Sequence, residues 1–311
     1  MSGEFDLVVV GGGLAGLSAA LTAGRLGRRV AILTGGAIGG QLVSIEKIEG
    51  VPGFAEPVPG YDLCPITQEQ ADAVGVQFLM AEADSIAADG DGWKIWSAEG
   101  ELSARGVVIA TGTRVARLGV PGEERLVGRG VSECASCDAP LLCGKTTVVA
   151  GGGDSAMQEA LTLAAHVDKV ILLERGAALT GQASYRAQVA SNPKIEMRLG
   201  QEIVEILGEG AVTGVRVKDT SGDESELETA AVFAFTGLVP HADLVKGIAP
   251  FDATGRIRVD AAMRTPVRGL TAAGNVREGS PHRAAAAMGD GAAAAVALDR
   301  YLATGAWRDP D

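Results

Sequence analysis

The chain has 311 residues, a formal net charge of −12 and 44 glycines; 47% of its residues are hydrophobic and 4% are aromatic. This length accommodates two domains with buried cores, and the composition is typical of an α/β protein with many tight turns, not of a disordered chain. The negative charge argues against nucleic acid and against an anionic membrane surface as partners, because both attract Lys and Arg.

The sequence predicts a cytoplasmic protein. No stretch approaches the roughly 20 apolar residues that a membrane-spanning helix needs. The N-terminal stretch, residues 1–6, lacks the basic region of a signal peptide. Four cysteines, two of them in a Cys-x-x-Cys motif, are too few for a disulfide scaffold. Cytosolic thiols stay reduced unless they take part in redox chemistry.

The chain opens with a predicted βαβ unit. A strand over 5–10 runs into Gly11-Gly12-Gly13-Leu14-Ala15-Gly16, a helix follows, and a second strand spans 30–33. In this G-x-G-x-x-G pattern Gly11 permits a tight turn, Gly13 lets the backbone approach a pyrophosphate, and Gly16 allows the helix and strand to pack closely. The pyrophosphate is expected at the positive end of the helix.

The same pattern returns at residue 146. A strand over 146–150 precedes Gly151-Gly152-Gly153-Asp154-Ser155-Ala156, then a helix and a strand over 170–173. One such motif is weak evidence, because glycine-rich turns serve many purposes. Two of them, each between a strand and a helix, predict two nucleotide sites. The alternative is a pair of structural turns without ligands.

The remaining segments complete two domains. Further strands are predicted at 76–79, 93–96, 107–110 and 232–235. An Ala-rich helix over 283–302 has no evident partner in the second unit, so we place it on the first domain. Linkers near 114–117 and 238–242 then make the second domain an insertion in the first. The predicted class is α/β, with two Rossmann-like nucleotide-binding domains.

These motifs, in this order, resemble the low-molecular-weight thioredoxin reductases, which are class II pyridine nucleotide-disulfide oxidoreductases, over nearly the whole chain. The resemblance is carried by the two glycine turns and by Gly39-Gly40-Gln41-Leu42, Pro52-Gly53, Ala110-Thr111-Gly112, Cys134-Ala135-Ser136-Cys137-Asp138 and Ala272-Ala273-Gly274-Asn275. It implies the FAD/NAD(P)-binding fold and a homodimer. An FAD-binding domain, 1–116 and 243–311, would be interrupted by an NAD(P)-binding domain, 117–242, that carries the cysteine pair.

The resemblance also implies cofactor contacts. Those for FAD are Gly11, Gly13, Leu14, Ala15, Gly16, Thr34, Gly40, Gln41, Ala83, Ala110, Thr111, Gly112, Gly274, Asn275, Arg283 and Ala284. Those for the nicotinamide nucleotide are Gly151, Gly153, Asp154, Ser155, Ala156, Glu174, Arg175 and Gly237. Two departures affect the flavin set. Asn275 stands where the family usually has Asp, and His282-Arg283-Ala284 replaces an Arg-Gln-Ala.

The Cys134–Cys137 motif has three interpretations. Zinc would need four ligands, whereas Cys64 and Cys143 are isolated in sequence and no metal site is predicted. Two inert core thiols are the second interpretation. Redox chemistry is the third and is favoured, because two intervening residues allow a reducible disulfide. By resemblance, Cys137 lies nearest the flavin, Cys134 attacks the substrate disulfide, and Asp138 protonates the departing thiolate.

We therefore expect a thioredoxin-reductase-like flavoprotein that passes electrons from NAD(P)H through FAD and the cysteine pair to an external disulfide. The acceptor could be a thioredoxin-like protein or a small disulfide. Two alternatives stay open at this point. One is a flavin-dependent dithiol oxidase that uses oxygen, and the other is a non-enzymatic redox sensor.

NADH is the expected nucleotide. Glu174 ends the second strand of the second unit, and a carboxylate there accepts hydrogen bonds from ribose hydroxyls but repels a 2′-phosphate. The NADPH-dependent members carry an arginine-rich segment at this place, whereas this chain has Arg175 and then no arginine until Arg186. Arg175 argues for NADPH. Two alternatives remain. Glu174 could be a solvated strand end without a role, or the electron donor could be something other than a nicotinamide nucleotide.

Overall fold

The structure is a computed structural model that describes residues 3–307. It has two compact units, one formed by residues 3–114 with 240–307 and the other by Val115–Val239. Residues 1 and 2 of the stretch assessed for a signal peptide lie outside the described residues. Between residues 3 and 307, no helix combines the length and the apolar character that crossing a membrane requires.

Residues 3–307 form 17 strands and six α-helices. The strands are β1 (Gly3–Val10), β2 (Val30–Leu33), β3 (Gln77–Leu79), β4 (Ala83–Asp89), β5 (Gly92–Ser97), β6 (Gly100–Ile109), β7 (Thr113–Val115), β8 (Val131–Ser132), β9 (Thr146–Ala150), β10 (Lys169–Glu174), β11 (Ile195–Leu199), β12 (Gln201–Leu207), β13 (Gly214–Asp219), β14 (Glu224–Glu228), β15 (Ala231–Ala234), β16 (Leu238–Pro240) and β17 (Leu270–Ala272). The helices are α1 (Leu14–Arg25), α2 (Gly60–Asp72), α3 (Ala135–Asp138), α4 (Asp154–Ala164), α5 (Ala183–Ser191) and α6 (Ala284–Thr304).

A seven-stranded sheet forms the centre of the first unit. Its order is β3-β2-β1-β6-β5-β4, and β17 also pairs with β6. Strands β1, β2, β3, β6 and β17 are parallel. The last four residues of β1, Leu7–Val10, are buried. Because Val10 pairs with both Leu33 and Ile109, the carboxyl ends of β1, β2 and β6 lie side by side, and the first glycine turn starts there.

The final helix packs against α1, as its lack of a partner in the second unit predicted. The Ser18 hydroxyl donates to the Met288 carbonyl oxygen at 2.7 Å. A Cβ on Gly291 would lie 2.1 Å from the Ala15 carbonyl oxygen. The two helices can therefore approach closely only because small residues face each other along the contact.

The second unit repeats the plan on a smaller scale. Its five-stranded parallel sheet has the order β11-β10-β9-β15-β8, with α4 between β9 and β10. The apolar residues of β9, β10 and β15 are buried in the cores on the two faces of this sheet. The segments that link the two units, β7 and β16, pair with each other.

The predicted strands and glycine turns are present, and the fold class is confirmed. Several elements were not predicted. Helix α2 contains Pro65, and proline is disfavoured in the interior of a helix. The antiparallel sheet β12-β13-β14 carries charged residues on one face, and its strand β14 is mostly exposed. Such strands lack the continuous apolar run by which the parallel strands were recognised.

Candidate functional site

The first glycine turn has a backbone shape that excludes side chains. Gly11 has φ +116°, and a Cβ there would lie 2.3 Å from the Ala110 carbonyl oxygen. A Cβ on Gly16 would lie 1.9 Å from the Gly11 carbonyl oxygen. At Gly13 a Cβ would meet nothing within 4 Å. The turn is therefore closed towards the protein and open at Gly13, which suits a diphosphate that approaches the backbone.

The structure brings other predicted flavin residues to this turn. The Thr34 side chain lies against the turn, since a Cβ on Gly12 would be 2.9 Å from the Thr34 Cβ. Gly40 lies beside the opening, because its Cβ would be 3.4 Å from the Gly13 Cα. The Gln41 amide donates to the Thr113 carbonyl oxygen at 2.6 Å. The backbone over 39–41 thus forms a second side of the opening.

The end of β6 supplies the next group. The Ala110 N–H donates to the Val10 carbonyl oxygen at 2.8 Å. The Thr111 hydroxyl donates to the His241 carbonyl oxygen at 2.5 Å. Gly112 has φ +67°, which only glycine adopts readily. Ala110, Thr111 and Gly112 are therefore held beside the first turn, as the parallel register of β1 and β6 requires.

Gly274 is held by a buried ion pair that sequence reasoning missed. Its N–H donates to an Asp290 carboxylate oxygen at 3.1 Å. Asp290 is only 7% exposed, and its two oxygens accept from the Arg277 guanidinium at 2.7 and 2.8 Å. An acidic residue within the Ala-rich helix α6 was the available signal. A Cβ on Gly274 would lie 2.8 Å from the Ala15 Cβ, so this pair positions Gly274 against the first turn.

The remaining residues that were predicted to contact FAD differ in their surroundings. The Asn275 side-chain oxygen accepts from the Ser280 hydroxyl at 3.0 Å and keeps a second lone pair for a ligand hydroxyl. Ala284 packs in the same apolar cluster as Leu14. Arg283 precedes α6, and its guanidinium donates to the carbonyl oxygen of His282 at 3.2 Å. Ala83 begins β4, where it pairs with Ser97, and its flavin contact stays a prediction.

His282 has an unusual environment. Its φ of +54° is one of two positive values among the non-glycine residues of the described chain. Burial lowers the pKa of its imidazole, and the positive charges of Arg256, Arg283 and Arg277 lower it further. The lowered pKa favours the neutral imidazole, in which one nitrogen can accept a hydrogen bond.

The second glycine turn matches the first. Gly151 has φ +127°, and a Cβ there would lie 2.3 Å from the Phe235 carbonyl oxygen. At Gly153 a Cβ would meet nothing within 4 Å. Ser155 is exposed in the first turn of α4, Ala156 is buried beneath it, and Gly237 follows the end of β15. This turn too is open at the third residue of its glycine pattern, Gly153.

Glu174 lies against this turn. One carboxylate oxygen accepts from the Gly176 N–H at 2.7 Å. The other lies where a Cβ on Gly152 would be 2.4 Å from it. The side chain is half-buried, whereas Arg175 is exposed. The carboxylate is therefore oriented towards the turn by a backbone hydrogen bond, and it has lone pairs left to accept from ribose hydroxyls.

Cys134 and Cys137 form a disulfide with a Cα–Cα distance of 5.4 Å. Cys134 precedes the short helix α3, and the Cys137 N–H donates to the Cys134 sulfur at 3.2 Å. Cys137 is exposed and Cys134 is half-buried. An accessible disulfide at the start of a helix suits thiol–disulfide exchange, because the helix N-terminus stabilises a thiolate.

A buried glutamate of α4, the helix that follows the second glycine turn, forms a hydrogen bond to the disulfide motif. Glu159 of α4 is 9% exposed, and its carboxylate accepts from the Ala135 N–H at 3.1 Å. Sequence reasoning missed this residue, although an acidic side chain on an otherwise apolar helix face was a possible signal. Asp138 is half-buried at the end of α3 and lines a cleft of about 370 Å³ together with Ser132, Glu133 and Arg117. Glu159 therefore positions the helix that carries the disulfide.

The two remaining cysteines differ in reactivity, which gives a first testable prediction. Cys143 is exposed, whereas Cys64 is buried and its burial raises the pKa of the thiol to about 11. At pH 8 only about one Cys64 in a thousand is ionised. We expect a disulfide reagent to modify one thiol quickly in the oxidised protein and a second only in denaturant. The Cys143→Ser variant should lose the fast thiol, and a fast thiol that persists would contradict the assignment.

Across residues 3–307, no three His, Cys, Asp or Glu side chains are grouped so that they could hold a metal ion.

Two open glycine turns of the dinucleotide type and an accessible disulfide define a nucleotide-dependent disulfide oxidoreductase. The sequence profile of the family described as pyridine nucleotide-disulphide oxidoreductase matches residues 5–291. The chain belongs to this family.

Individual proteins that are similar to the chain over nearly its whole length include thioredoxin reductases. The chain is 38% identical to a thioredoxin reductase of Treponema pallidum, covering 98% of this chain and 99% of that one. It is 35% identical to the Bacillus subtilis thioredoxin reductase, covering 96% and 95%. The crystal structure of Lactococcus lactis thioredoxin reductase superposes with a TM-score of 0.94 at 32% identity, covering 96% and 99%.

These findings confirm the predicted resemblance and the enzyme class. The chain is a thioredoxin reductase-like, FAD-dependent pyridine nucleotide-disulfide oxidoreductase. The same comparisons favour a disulfide reductase over the dithiol oxidase and the redox sensor.

Proposed function

We propose that the protein takes electrons from NADH and reduces the disulfide of a thioredoxin-like protein, with FAD bound in the first unit and the nicotinamide nucleotide in the second. The observation that carries the proposal is the accessible Cys134–Cys137 disulfide in the same unit as the second glycine turn. The names of the similar proteins, thioredoxin reductases of Treponema pallidum and Bacillus subtilis, support this class of partner. A homodimer is proposed from the family resemblance, and a cytoplasmic location from the reduced thiols that such an enzyme maintains.

The first unit fits FAD. Gly11 and Gly16 close the turn towards the protein, and Gly13 leaves it open beside the backbone of Gly40. These residues would hold the diphosphate, while Thr34 and Asn275 offer oxygens to ligand hydroxyls. When bound, FAD would supply the chemistry that passes two electrons from a hydride donor to a disulfide.

The cysteines then perform the exchange. Two electrons and two protons convert the Cys134–Cys137 disulfide into two thiols. The Cys134 thiolate attacks the partner's disulfide, which forms a mixed disulfide and releases one partner thiolate that takes a proton, for which Asp138 is the proposed donor. The Cys137 thiolate attacks the mixed disulfide, restores the Cys134–Cys137 bond and releases the second partner thiolate.

Glu174 supports NADH as the donor. Its carboxylate is already turned towards the second glycine turn by the Gly176 N–H. In this position it can accept hydrogen bonds from the hydroxyls of an adenosine ribose, and it would repel a 2′-phosphate. Arg175, the residue that argued for NADPH, is exposed.

The test is stopped-flow reduction of the flavin by each nucleotide. We expect the wild type to prefer NADH over NADPH by about tenfold or more, since one like-charge contact of roughly 1.4 kcal/mol suffices for a factor of ten. Glu174→Arg should reduce or reverse this preference because it replaces repulsion of the phosphate by attraction. Glu228→Arg makes the same charge reversal on the exposed strand β14 and should leave the preference unchanged. A wild type that prefers NADPH would overturn the assignment of NADH.

A further inference from the structure

The loops that follow the second strand of each unit contain a repeated segment. It reads Gly39-Gly40-Gln41 in the first unit and Thr180-Gly181-Gln182 in the second. The Gly39 N–H donates to the Gly12 carbonyl oxygen at 2.8 Å, and the Thr180 N–H donates to the Gly152 carbonyl oxygen at 2.8 Å. Gly12 and Gly152 occupy the same position in the two fingerprints. The two segments therefore attach to their glycine turns by the same hydrogen bond.

The glycine in the middle of each segment allows a close approach to the turn. A Cβ on Gly40 would lie 3.4 Å from the Gly13 Cα. A Cβ on Gly181 would lie 2.3 Å from the Met157 Cε, 2.4 Å from a carboxylate oxygen of Asp154 and 2.8 Å from the Asp154 backbone nitrogen. The open face of each turn, at Gly13 and Gly153, is not filled by the segment. The segment thus lines the opening without covering it.

The glutamine of the second segment, Gln182, forms hydrogen bonds to the Asp154 carboxylate at the start of α4. The Gln182 N–H donates to one Asp154 oxygen at 2.6 Å, and the Gln182 side-chain amide donates to the other at 3.3 Å. A carboxylate at a helix N-terminus competes with an anionic ligand for the same positive potential. Bonding both oxygens to the segment reduces that competition by fixing and partly neutralising the carboxylate.

We propose that Thr180, Gly181 and Gln182 form the second wall of the nucleotide groove in the inserted unit, and that this wall sets the affinity for the diphosphate of a nicotinamide dinucleotide. The proposal rests on the proposed function, because it takes this unit as the nicotinamide site. It assigns a binding role to a loop that the sequence shows only as extra length after Arg175. Gln182 is a positioning residue that acts through Asp154.

The first test measures equilibrium binding of NAD⁺ to the oxidised holoenzyme by calorimetry. Gly181→Ala places a methyl group against Met157 and Asp154 of α4 and should weaken NAD⁺ binding about tenfold or more. The matched control is Gly210→Ala in the same unit, where a Cβ meets nothing within 4 Å, and its dissociation constant should stay within about twofold of the wild type. Circular dichroism and thermal unfolding report whether each variant is folded, since FAD in the first unit does not report on the second. Equal dissociation constants in the wild type and Gly181→Ala, or tighter binding in Gly181→Ala, would overturn the proposal.

A second variant tests the positioning role if Gly181→Ala does not fold. Gln182→Glu keeps the shape of an exposed side chain but removes the donor and adds a negative charge beside Asp154. We expect it to weaken NAD⁺ binding about tenfold, and the double variant Asp154→Asn/Gln182→Glu to recover part of this loss. Gln188→Glu, on an exposed position of α5, is the control and should have no effect. No loss in Gln182→Glu would contradict the positioning role.

Hydrogen exchange distinguishes a segment that stays in place when the nucleotide binds from a loop that must move away. If the segment is a wall, NAD⁺ should increase the protection of the Thr180 amide, whose bond to Gly152 is kept. Loss of protection on binding would overturn the proposal. Failure of the proposed function has a different signature, since NADH would then leave the flavin oxidised in the wild type while the effects on NAD⁺ binding persist. Normal flavin reduction with unchanged binding in Gly181→Ala would refute the wall alone.

Discussion

Replacement of either cysteine of the pair by serine is expected to abolish reduction of an external disulfide while reduction of the flavin by nucleotide continues. Serine cannot form the disulfide, and its hydroxyl ionises too weakly to replace a thiolate in exchange. Cys134→Ser and Cys137→Ser should each lower turnover with a thioredoxin-like acceptor by roughly 1,000-fold or more. Steady-state assays with the acceptor and stopped-flow assays without it measure the two half-reactions separately.

Cys143→Ser is the matched control for these variants. Cys143 is exposed and lies in the same unit, but it is not part of the disulfide. Its replacement should leave both half-reactions at their normal rates. A Cys134→Ser or Cys137→Ser enzyme that kept normal turnover with a protein disulfide would exclude the pair as the route of electrons.

Replacement of Gly16 by alanine is expected to release FAD. The added Cβ would lie 1.9 Å from the Gly11 carbonyl oxygen, so helix α1 or the turn itself must move. Overpacking of this kind costs about 1–3 kcal/mol, and here the strain falls on the turn that would hold the diphosphate. The affinity for FAD should fall roughly tenfold or more, measured as flavin absorbance per protein after dialysis and as the concentration of added FAD that restores it.

Gly36→Ala provides the comparison for Gly16→Ala. Gly36 lies in the exposed loop after β2, and a Cβ there would meet nothing within 4 Å. This variant should keep its flavin. If Gly16→Ala retained FAD as tightly as Gly36→Ala, the assignment of the first turn to the flavin would be wrong.

The sequence by itself predicted the features that depend on local backbone requirements. The two fingerprints need glycines where the chain turns sharply, and Gly11 and Gly151 do adopt positive φ values in the structure. The central parallel strands are short apolar runs, because they are buried on both faces, and β2 and β9 begin and end at the predicted residues. Fold class and family follow from these local patterns, and both are confirmed.

The tertiary structure alone decided which polar side chains support the first glycine turn and the helix that carries the disulfide. Asp290 bonds to the Gly274 N–H, and Glu159 bonds to the Ala135 N–H, over 16 and 24 residues of sequence respectively. Such partners leave no periodic signal, because each depends on how separate helices pack. The same holds for the segment 180–182, whose contact with Gly152 spans 28 residues. Local sequence determines that a nucleotide turn forms, whereas packing between distant segments determines what lines it.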